Sequence, residues 1–365
     1  MTVKKGLSGF LPGKKNIVGI DIGSTALKLV EIAETSNGYE LVACAQIPIE
    51  RGVISKGLMT DGAAVTRAVK ELLKISGTSA KLAATALSGF SVLVNKVSFK
   101  DMGEDEIRQL VIDEAGEYMP IDRVENVYFD IHVLGASDNN PQMIDVIIAA
   151  AKKDIIAEYR SAVESAGLRL VLMDVDSFAL ETAYEENYEF SDDDVVGLVH
   201  IGAGITNINI VKGGQSVFTR NVLMGGDVIT EAIQAERGIS FEEAEVWKIE
   251  RSQEENAAEP GEYAQEQSLL ILADPIFAEI ERSIDFFISS VGMIFLNKVL
   301  ISGGSSRIAG IKEALSQRLR CDVEYFDPFK AVKCDKKSYP SEFIREMAAV
   351  APIAAGLALR RPDEL

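Results

Sequence analysis

Three alternating runs open the patterned part of the chain. Asn16 to Ile22, Ala26 to Ala33 and Tyr39 to Ile49 are rich in β-formers and predict successive strands. Gly23-Ser24-Thr25, between the first two, is a tight hairpin turn. From Asp61 to Ile75 the period becomes helical: Val65, Val69, Leu72 and Leu73 share one stripe, with Thr60 or Asp61 as cap. Gly77 closes that helix, and Lys81 to Leu87 is a further strand. The pattern then returns, with a strand at Val195 to Ile201, a turn at Gly202-Ala203-Gly204, strands at Ile205 to Val211 and Ser216 to Val222, and a helix from Asp227. Asp21 before Ile22-Gly23 and His200 before Ile201-Gly202 occupy equivalent places. A repeat of three antiparallel strands followed by helices and strands predicts two similar α/β lobes facing across a cleft. The alternative at this level is a chance likeness of two hairpins.

Between the copies lies an insertion, roughly Ser91 to Gly167. It reads as a strand (Val92 to Phe99), a helix with Ile107, Leu110, Val111 and Ala115 on its apolar face, and two strands (Val127 to Val133, Ile144 to Ala150). The first helix ends before Pro120, and a last helix from Asp154 to Ala166 is closed by Gly167. The block is large enough for a small domain of its own, whose edges present a partner site or serve as inert packing.

Composition narrows the function classes. With 365 residues, 47% of them hydrophobic, the chain can bury the cores of two or three domains. Its formal charge of −19 repels nucleic acid and anionic lipid, and no basic patch offsets it. Lys4, Lys5, Lys14 and Lys15 flank only a short apolar stretch, which reads as a frayed arm rather than a secretory signal. The most apolar tract, Ala348 to Leu359, is too short to span a bilayer and contains Pro352. Cys44, Cys321 and Cys334 are scattered without metal-ligand spacing and read as reduced thiols of a cytoplasmic protein. The acidic runs Asp192-Asp193-Asp194 and Glu250 to Glu266 read as solvated faces.

The candidate chemistry is phosphate binding. In GIDIGSTALK (Gly19 to Lys28) the turn glycine, Gly23, lets backbone N–H groups approach phosphate oxygens, Ser24 and Thr25 add hydroxyls, and Lys28 adds a point charge. Asp21 at the strand end is placed to hold Mg2+ through its water shell. The second turn offers Gly202, Ala203, Gly204 and Thr206 to the same phosphates from the opposite side. LISGGSSRIAGIKEAL (Leu300 to Leu315) is a strand, a glycine turn and a helix; Gly303 and Gly304 would let backbone lie against a purine, with Arg307 stacked on it. Each motif alone also reads as a plain turn; three at strand ends, in this order, predict a nucleotide cleft.

These motifs resemble those of the actin, sugar-kinase and heat-shock-chaperone superfamily, with GIDIGST and HIGAGIT as its two phosphate motifs, ISGGSSRIAG as its adenosine motif and APIAAGLAL (Ala351 to Leu359) as its closing connecting helix. Within that superfamily the chain is similar to the PilM family of pilus-assembly proteins, relatives of the division protein FtsA, over nearly its whole length. The resemblance implies a duplicated actin-like (ribonuclease H-like) ATPase fold in which an FtsA-like subdomain is inserted. It divides the chain into a first lobe at 14–90, completed by 168–194 and 346–365, an insertion at 91–167, a second-lobe core at 195–226 and 286–345, and a helical subdomain at 227–285. It also implies that Glu245 and Lys248 reach the ribose, that Gly225, Gly226 and Asp227 border the same pocket, and that Ser305 joins the adenosine site. The expected ligands are ATP or ADP with Mg2+. The expected partner is the cytoplasmic N-terminal tail of PilN, docked between the insertion and the first lobe, with further contacts to other pilus proteins or to a second copy. The protein would then be cytoplasmic and reach the inner membrane only through its partners.

One departure bears on turnover. Relatives that hydrolyse ATP carry an aspartate where this chain has His200, and a neutral imidazole does not replace that charge beside Mg2+. His200 is then either a hydrogen-bonded strand-end residue or a phosphate contact, and slow or absent hydrolysis is expected. Two rival functions share the fold. A small-molecule kinase would need a carboxylate base, for which Asp174 and Asp176 are the candidates. A filament-forming division protein like FtsA would end in an amphipathic membrane helix, whereas Arg360 to Leu365 forms only a short polar tail here.

Overall fold

The computed structural model describes residues 16–119, 124–137, 140–257, 269–291 and 295–360. Lys4, Lys5, Lys14, Lys15, Pro120, the acidic run beyond 257 and the tail from Arg361 to Leu365 lie outside the described residues.

β-Branched and aliphatic residues fill β1 (Ile17–Ile22), β2 (Ala26–Thr35) and β3 (Gly38–Pro48), which pair as an antiparallel meander. A small hairpin follows, β4 (Ile54–Ser55) and β5 (Leu58–Met59), turned by Lys56 and Gly57 at positive φ. In α1 (Gly62–Ser76), Val65, Val69 and Leu72 are buried, Asp61 accepts from the Ala64 amide as cap, and Gly77 ends the helix in the left-handed conformation. β6 (Leu82–Leu87) runs parallel to β1.

The insertion folds as expected in its strands and differently in its helices. β7 (Leu93–Lys100) is followed by α2 (Glu104–Asp113) and α3 (Ala115–Tyr118), then β8 (Val127–Ser137) and β9 (Asn140–Lys152), in a sheet of order β7-β9-β8. The single helix expected through Ala115 is broken at Glu114 (φ −117°, ψ 28°). The break lets Ala115 and Met119 pack into the same core as Ile107 and Val111. α4 (Lys153–Glu164) closes the insertion in sequence but not in space. Its Tyr159, Ala162 and Val163 pack with Val65, Val69 and Leu72 of α1, and the Tyr159 hydroxyl donates to the Gly57 carbonyl at 3.0 Å. The separately packed part of 91–167 is therefore the three strands with α2 and α3.

β10 (Arg169–Val175) runs parallel to β6 and leads into α5 (Asp176–Asn187). The second half repeats the plan. β11 (Val195–Ile201), β12 (Thr206–Lys212) and β13 (Gln215–Val222) form a meander, and three helices follow, α6 (Asp227–Arg237), α7 (Phe241–Ala257) and α8 (Leu269–Val291). β14 (Lys298–Ser302) lies parallel to β11; α9 (Ile311–Leu319) then leads to β15 (Asp322–Tyr325), parallel to β14. The order β13-β12-β11-β14-β15 reproduces β3-β2-β1-β6-β10 strand for strand, so the likeness extends to whole sheets.

The division at 286–345 is shifted at both ends. α8 runs unbroken across residue 286, because its buried face from Leu269 to Phe287 belongs to one core. β16 (Val332–Lys333) pairs in parallel with β3, giving the first sheet a sixth strand. Phe329 and Val332 then pack with Val30, Ile32 and Leu41, as do Met347 and Val350 of α10 (Ser341–Val350), so this stretch belongs to the first lobe. The last helix, α11 (Pro352–Leu359), and α5 fill the layer between the sheets: Ala179, Leu180, Ile353 and Leu357 meet Ile17 and Ala84 on one side, and Val196, Leu198 and Leu300 on the other. No helix among the described residues is long and apolar enough to cross a membrane.

Candidate functional site

The two glycine turns are built alike and face one another. Gly23 donates its amide to the Ala26 carbonyl at 3.2 Å, and Gly202 donates to Ile205 at 2.9 Å. Among the described residues, the amides of Ser24 and Thr25, and of Ala203 and Gly204, have no backbone acceptor, so two pairs of donors are available at the turn tips. The tips are close: a Cβ on Gly204 would lie 3.7 Å from both Ser24 Oγ and Asp227 Oδ2. That cradle is open because residue 204 has no side chain.

The register makes the residues below the turns equivalent. Asp21 faces Lys28 across β1–β2, and His200 faces Asn207 across β11–β12. In the first lobe the pair is ionic, Lys28 Nζ to Asp21 Oδ2 at 3.0 Å, with both side chains largely buried. In the second it is neutral. His200 Nδ1 lies 3.0 Å from Ser302 Oγ, and burial pushes the imidazole down to about 4 despite nearby Asp21. His200 is thus an uncharged, hydrogen-bonded strand-end residue. Asn207 turns its amide to Asp176, Nδ2 donating to Oδ2 at 3.2 Å, and its own Oδ1 is buried without a partner. Asp176, at the start of α5, is buried, and desolvation followed by the negative charge of Asp21 pushes its carboxyl up to about 7. The sequence offers Asp176 only as a candidate base and does not single out Asn207. The available signal was Asn207 and Asn209 at alternate positions of an otherwise aliphatic strand.

The remaining expected residues divide into those that border the cleft and those already occupied. Gly225 and Gly226 fit closely under the second turn: the Gly226 and Asp227 amides donate to the Gly202 and Ala203 carbonyls at 2.9 Å each. A Cβ on Gly225 would run into both carbonyls. Desolvation raises the Asp227 carboxyl above its usual range. Gly303 takes φ +92°, where a Cβ would strike the Ile201 carbonyl, while Gly304 faces open space. Ser305 Oγ donates to the Gly202 carbonyl at 3.1 Å, tying the third glycine turn to the second. Arg307 is exposed, and its carbonyl accepts from Ser252 and Asn256 on α7 at 3.1 Å each.

Two side chains are committed elsewhere, and a third in part. The Thr206 hydroxyl, fully buried, donates to the Met224 carbonyl at 2.8 Å rather than into the cleft. Lys248 is buried, and its ammonium bonds Glu245 Oε2 (2.7 Å), Thr230 Oγ1 (2.8 Å) and the Gly226 carbonyl (3.3 Å). Its three donors are used, so it fastens α7 to α6. Glu245 Oε2 also accepts from Thr230 at 2.6 Å, and its other oxygen is the one left for a sugar hydroxyl.

The arrangement fits a polyphosphate: two sets of turn amides, one lysine, and glycines where a backbone must lie flat. No group of three or more metal-ligating side chains occurs among the described residues. A Mg2+ ion would therefore be held through phosphate and water, with Asp21 and the unpartnered Asn207 oxygen as acceptors for its waters.

A second concavity, about 450 Å³, lies between the insertion and the first lobe. Tyr128 and Ile131 of β8 form one wall; Leu172 and Asp174 of β10 and Phe178 and Glu181 of α5 form the other. β8 and β10 are each the outermost strand of their sheets. Arg360 Nε pairs with Asp174 Oδ2 at 2.7 Å on the groove's edge. Glu181 accepts from the Ser216 amide at 3.1 Å and from the Ser216 hydroxyl, yet desolvation pushes its carboxyl up to about 7. The neutral acid is then the form the fold prefers. Its contribution is whole below about 4.5 and is lost as the pH rises to about 7, whereas that of His200 runs the other way, lost as the pH falls from 6.5 to about 4. Glu181→Gln should therefore be more stable than the wild type at pH 8, by about 1 kcal/mol after discounting for the groove's solvent, and equal to it at pH 4.5. Denaturant titrations at both pH values check this; a constant difference would refute it.

The sequence pattern of the family described as type IV pilus assembly protein PilM matches residues 19–362. Among solved structures, one titled "PilM-PilN type IV pilus biogenesis complex" is similar at 27% identity with a TM-score of 0.82, covering 94% of this chain and 98% of that one. The ethanolamine utilization protein EutJ from Carboxydothermus hydrogenoformans is similar in fold, at 19% identity and a TM-score of 0.56, covering 96% of this chain and 90% of that one.

Proposed function

The chain belongs to the family of type IV pilus assembly protein PilM, and from that membership we propose an actin-like, ATP-binding scaffold that holds the cytoplasmic N-terminal tail of PilN at the inner membrane. The observation that carries the reading is the family match over residues 19–362, joined to a groove of suitable form. An extended peptide entering between β8 and β10 meets two strand edges, whose backbone groups provide affinity, and apolar side chains that select its residues.

ATP or ADP would lie between the paired turns, with Lys28 and the turn amides on the phosphates, Gly303 and Gly304 beneath the base, and Arg307 at its outer edge. Bound Mg2+ would neutralise phosphate charge. The neutral His200–Asn207 pair, where the other lobe has a charged one, argues for retention of nucleotide rather than brisk turnover. A kinase is disfavoured: Asp174 is ion-paired with Arg360, and Asp176 lies in the cleft floor against Asp21.

Calorimetry with a peptide of the PilN tail tests the reading. Saturable one-to-one binding is expected, weakened about tenfold or more by Tyr128→Asp, because Tyr128 is exposed on the groove wall and a charge there must be desolvated. Phosphate release from ATP and Mg2+ by the same preparation should stay near background. A folded wild type that ignores the peptide would overturn the scaffold reading, and rapid release abolished by His200→Ala would overturn the slow-turnover reading.

A further inference from the structure

The lobes touch at the floor of the cleft, where Ser24 approaches Gly204 and Gly89 packs against Ile205. They also touch at its rim, through Arg51. This residue follows β3 in the first lobe and reaches the helices of the second. Its guanidinium carbon lies 3.4 Å from the centroid of the Phe241 ring at the start of α7, and its Nη2 sits 3.2 Å from Glu231 Oε1 on α6. The ring is buried and the ion pair half exposed. Glu231 follows Thr230, which belongs to the Lys248–Glu245 cluster beside the expected ribose position. Arg51 also lies close enough to Asp227 to favour its charged form. One stretch of α6 thus borders the nucleotide position and carries the anchor for a residue of the opposite lobe.

We propose that Arg51, stacked on Phe241 and paired with Glu231, is the latch that closes the rim of the cleft and sets the rate at which bound nucleotide leaves. The latch rests on the nucleotide reading above. The two lobes share α5 and α11 as a common packed layer, so separation of the turns for release opens the rim. That motion breaks the Arg51 contacts and strips the planar guanidinium from the ring. A lysine at 51 would keep the charge that pairs with Glu231 but lose the stacking on Phe241, because an ammonium offers no flat face to the ring.

Stopped-flow displacement of a fluorescent ATP analogue by excess ATP tests the latch. Arg51→Ala should release the analogue about five- to tenfold faster, the size expected of a partly desolvated ring contact plus an exposed ion pair. Glu231→Ala should release it about two- to threefold faster, and Arg51→Lys should fall between Arg51→Ala and the wild type. Raising the salt from about 0.05 M to about 0.5 M should speed release by a larger factor in the wild type than in Glu231→Ala, which lacks the exposed ion pair. Thermal melts of the exposed-site variants without nucleotide establish that they remain folded. Release rates equal to the wild type in both alanine variants, with binding intact, would overturn the latch and leave the nucleotide site standing. Failure of the folded wild type to bind the analogue would overturn the nucleotide site and the latch together.

Discussion

A Gly356→Ala variant should lose about 2–3 kcal/mol of stability, although alanine is the better helix former by about 1 kcal/mol. Gly356 lies in the middle of α11, wholly buried, and a Cβ there would run into the backbone carbonyl of Ala179 on α5. Backbone cannot swing aside as a side-chain tip can, so one helix must retreat. Retreat is blocked on the other side, where α11 rests on β1 so closely that a Cβ at Gly19 would strike the Ala354 carbonyl. The methyl must therefore be absorbed by shifting α5 or the sheet, and both take part in the layer that joins the lobes. Gly116→Ala is the control: among the described residues no atom beyond its own helix backbone and chain neighbours lies within 4 Å of its added Cβ, so the change should be neutral or slightly stabilising. Denaturant midpoints read both. An unchanged midpoint for Gly356→Ala would mean that the helix crossing has slack.

Lys28→Ala should reduce ATP affinity roughly tenfold to a hundredfold, the range for one charge-assisted contact of about 1.5–3 kcal/mol. It should also destabilise the nucleotide-free protein. The side chains of Lys28 and Asp21 are only 11% and 7% exposed, so removing the ammonium strands a buried carboxylate, at about 3 kcal/mol. Asp21→Asn with Lys28→Ala removes both charges and should recover much of the stability while leaving affinity low. Equilibrium dialysis with labelled ATP, beside thermal melts, separates the two effects. Wild-type affinity in folded Lys28→Ala would exclude the lysine from the phosphate site.

Most strands and the repeated plan were legible in the sequence, because alternation and glycine turns are local properties. The hairpins at Gly23 and Gly202 form where the pattern placed them, as do the cap at Asp61 and the stop at Gly77. Long-range pairing was not legible. Nothing local marks Val332 and Lys333 as partners of Tyr39 and Glu40, nor assigns Tyr159 to the core of α1 rather than to the insertion. Within the cleft, residue types were legible but their commitments were not. Thr206 and Lys248 carry suitable groups, yet one is spent on a carbonyl and the other on three acceptors. Asp176 and Asn207 become a pair only because α5 crosses beneath β12.

The placement of α4 bears on how relatives exchange parts. Tyr159 and Val163 are bound to the first lobe, as is Ala151 at the end of β9, whereas the strands from Leu93 to Ala150 enclose their own core. A hybrid that received a foreign segment 91–167 would import unmatched side chains into the core that contains Val65 and Leu72. Grafting at 93–150 instead would transplant one wall of the groove while leaving its host intact, so recognition could be swapped between homologues without rebuilding the domain beneath.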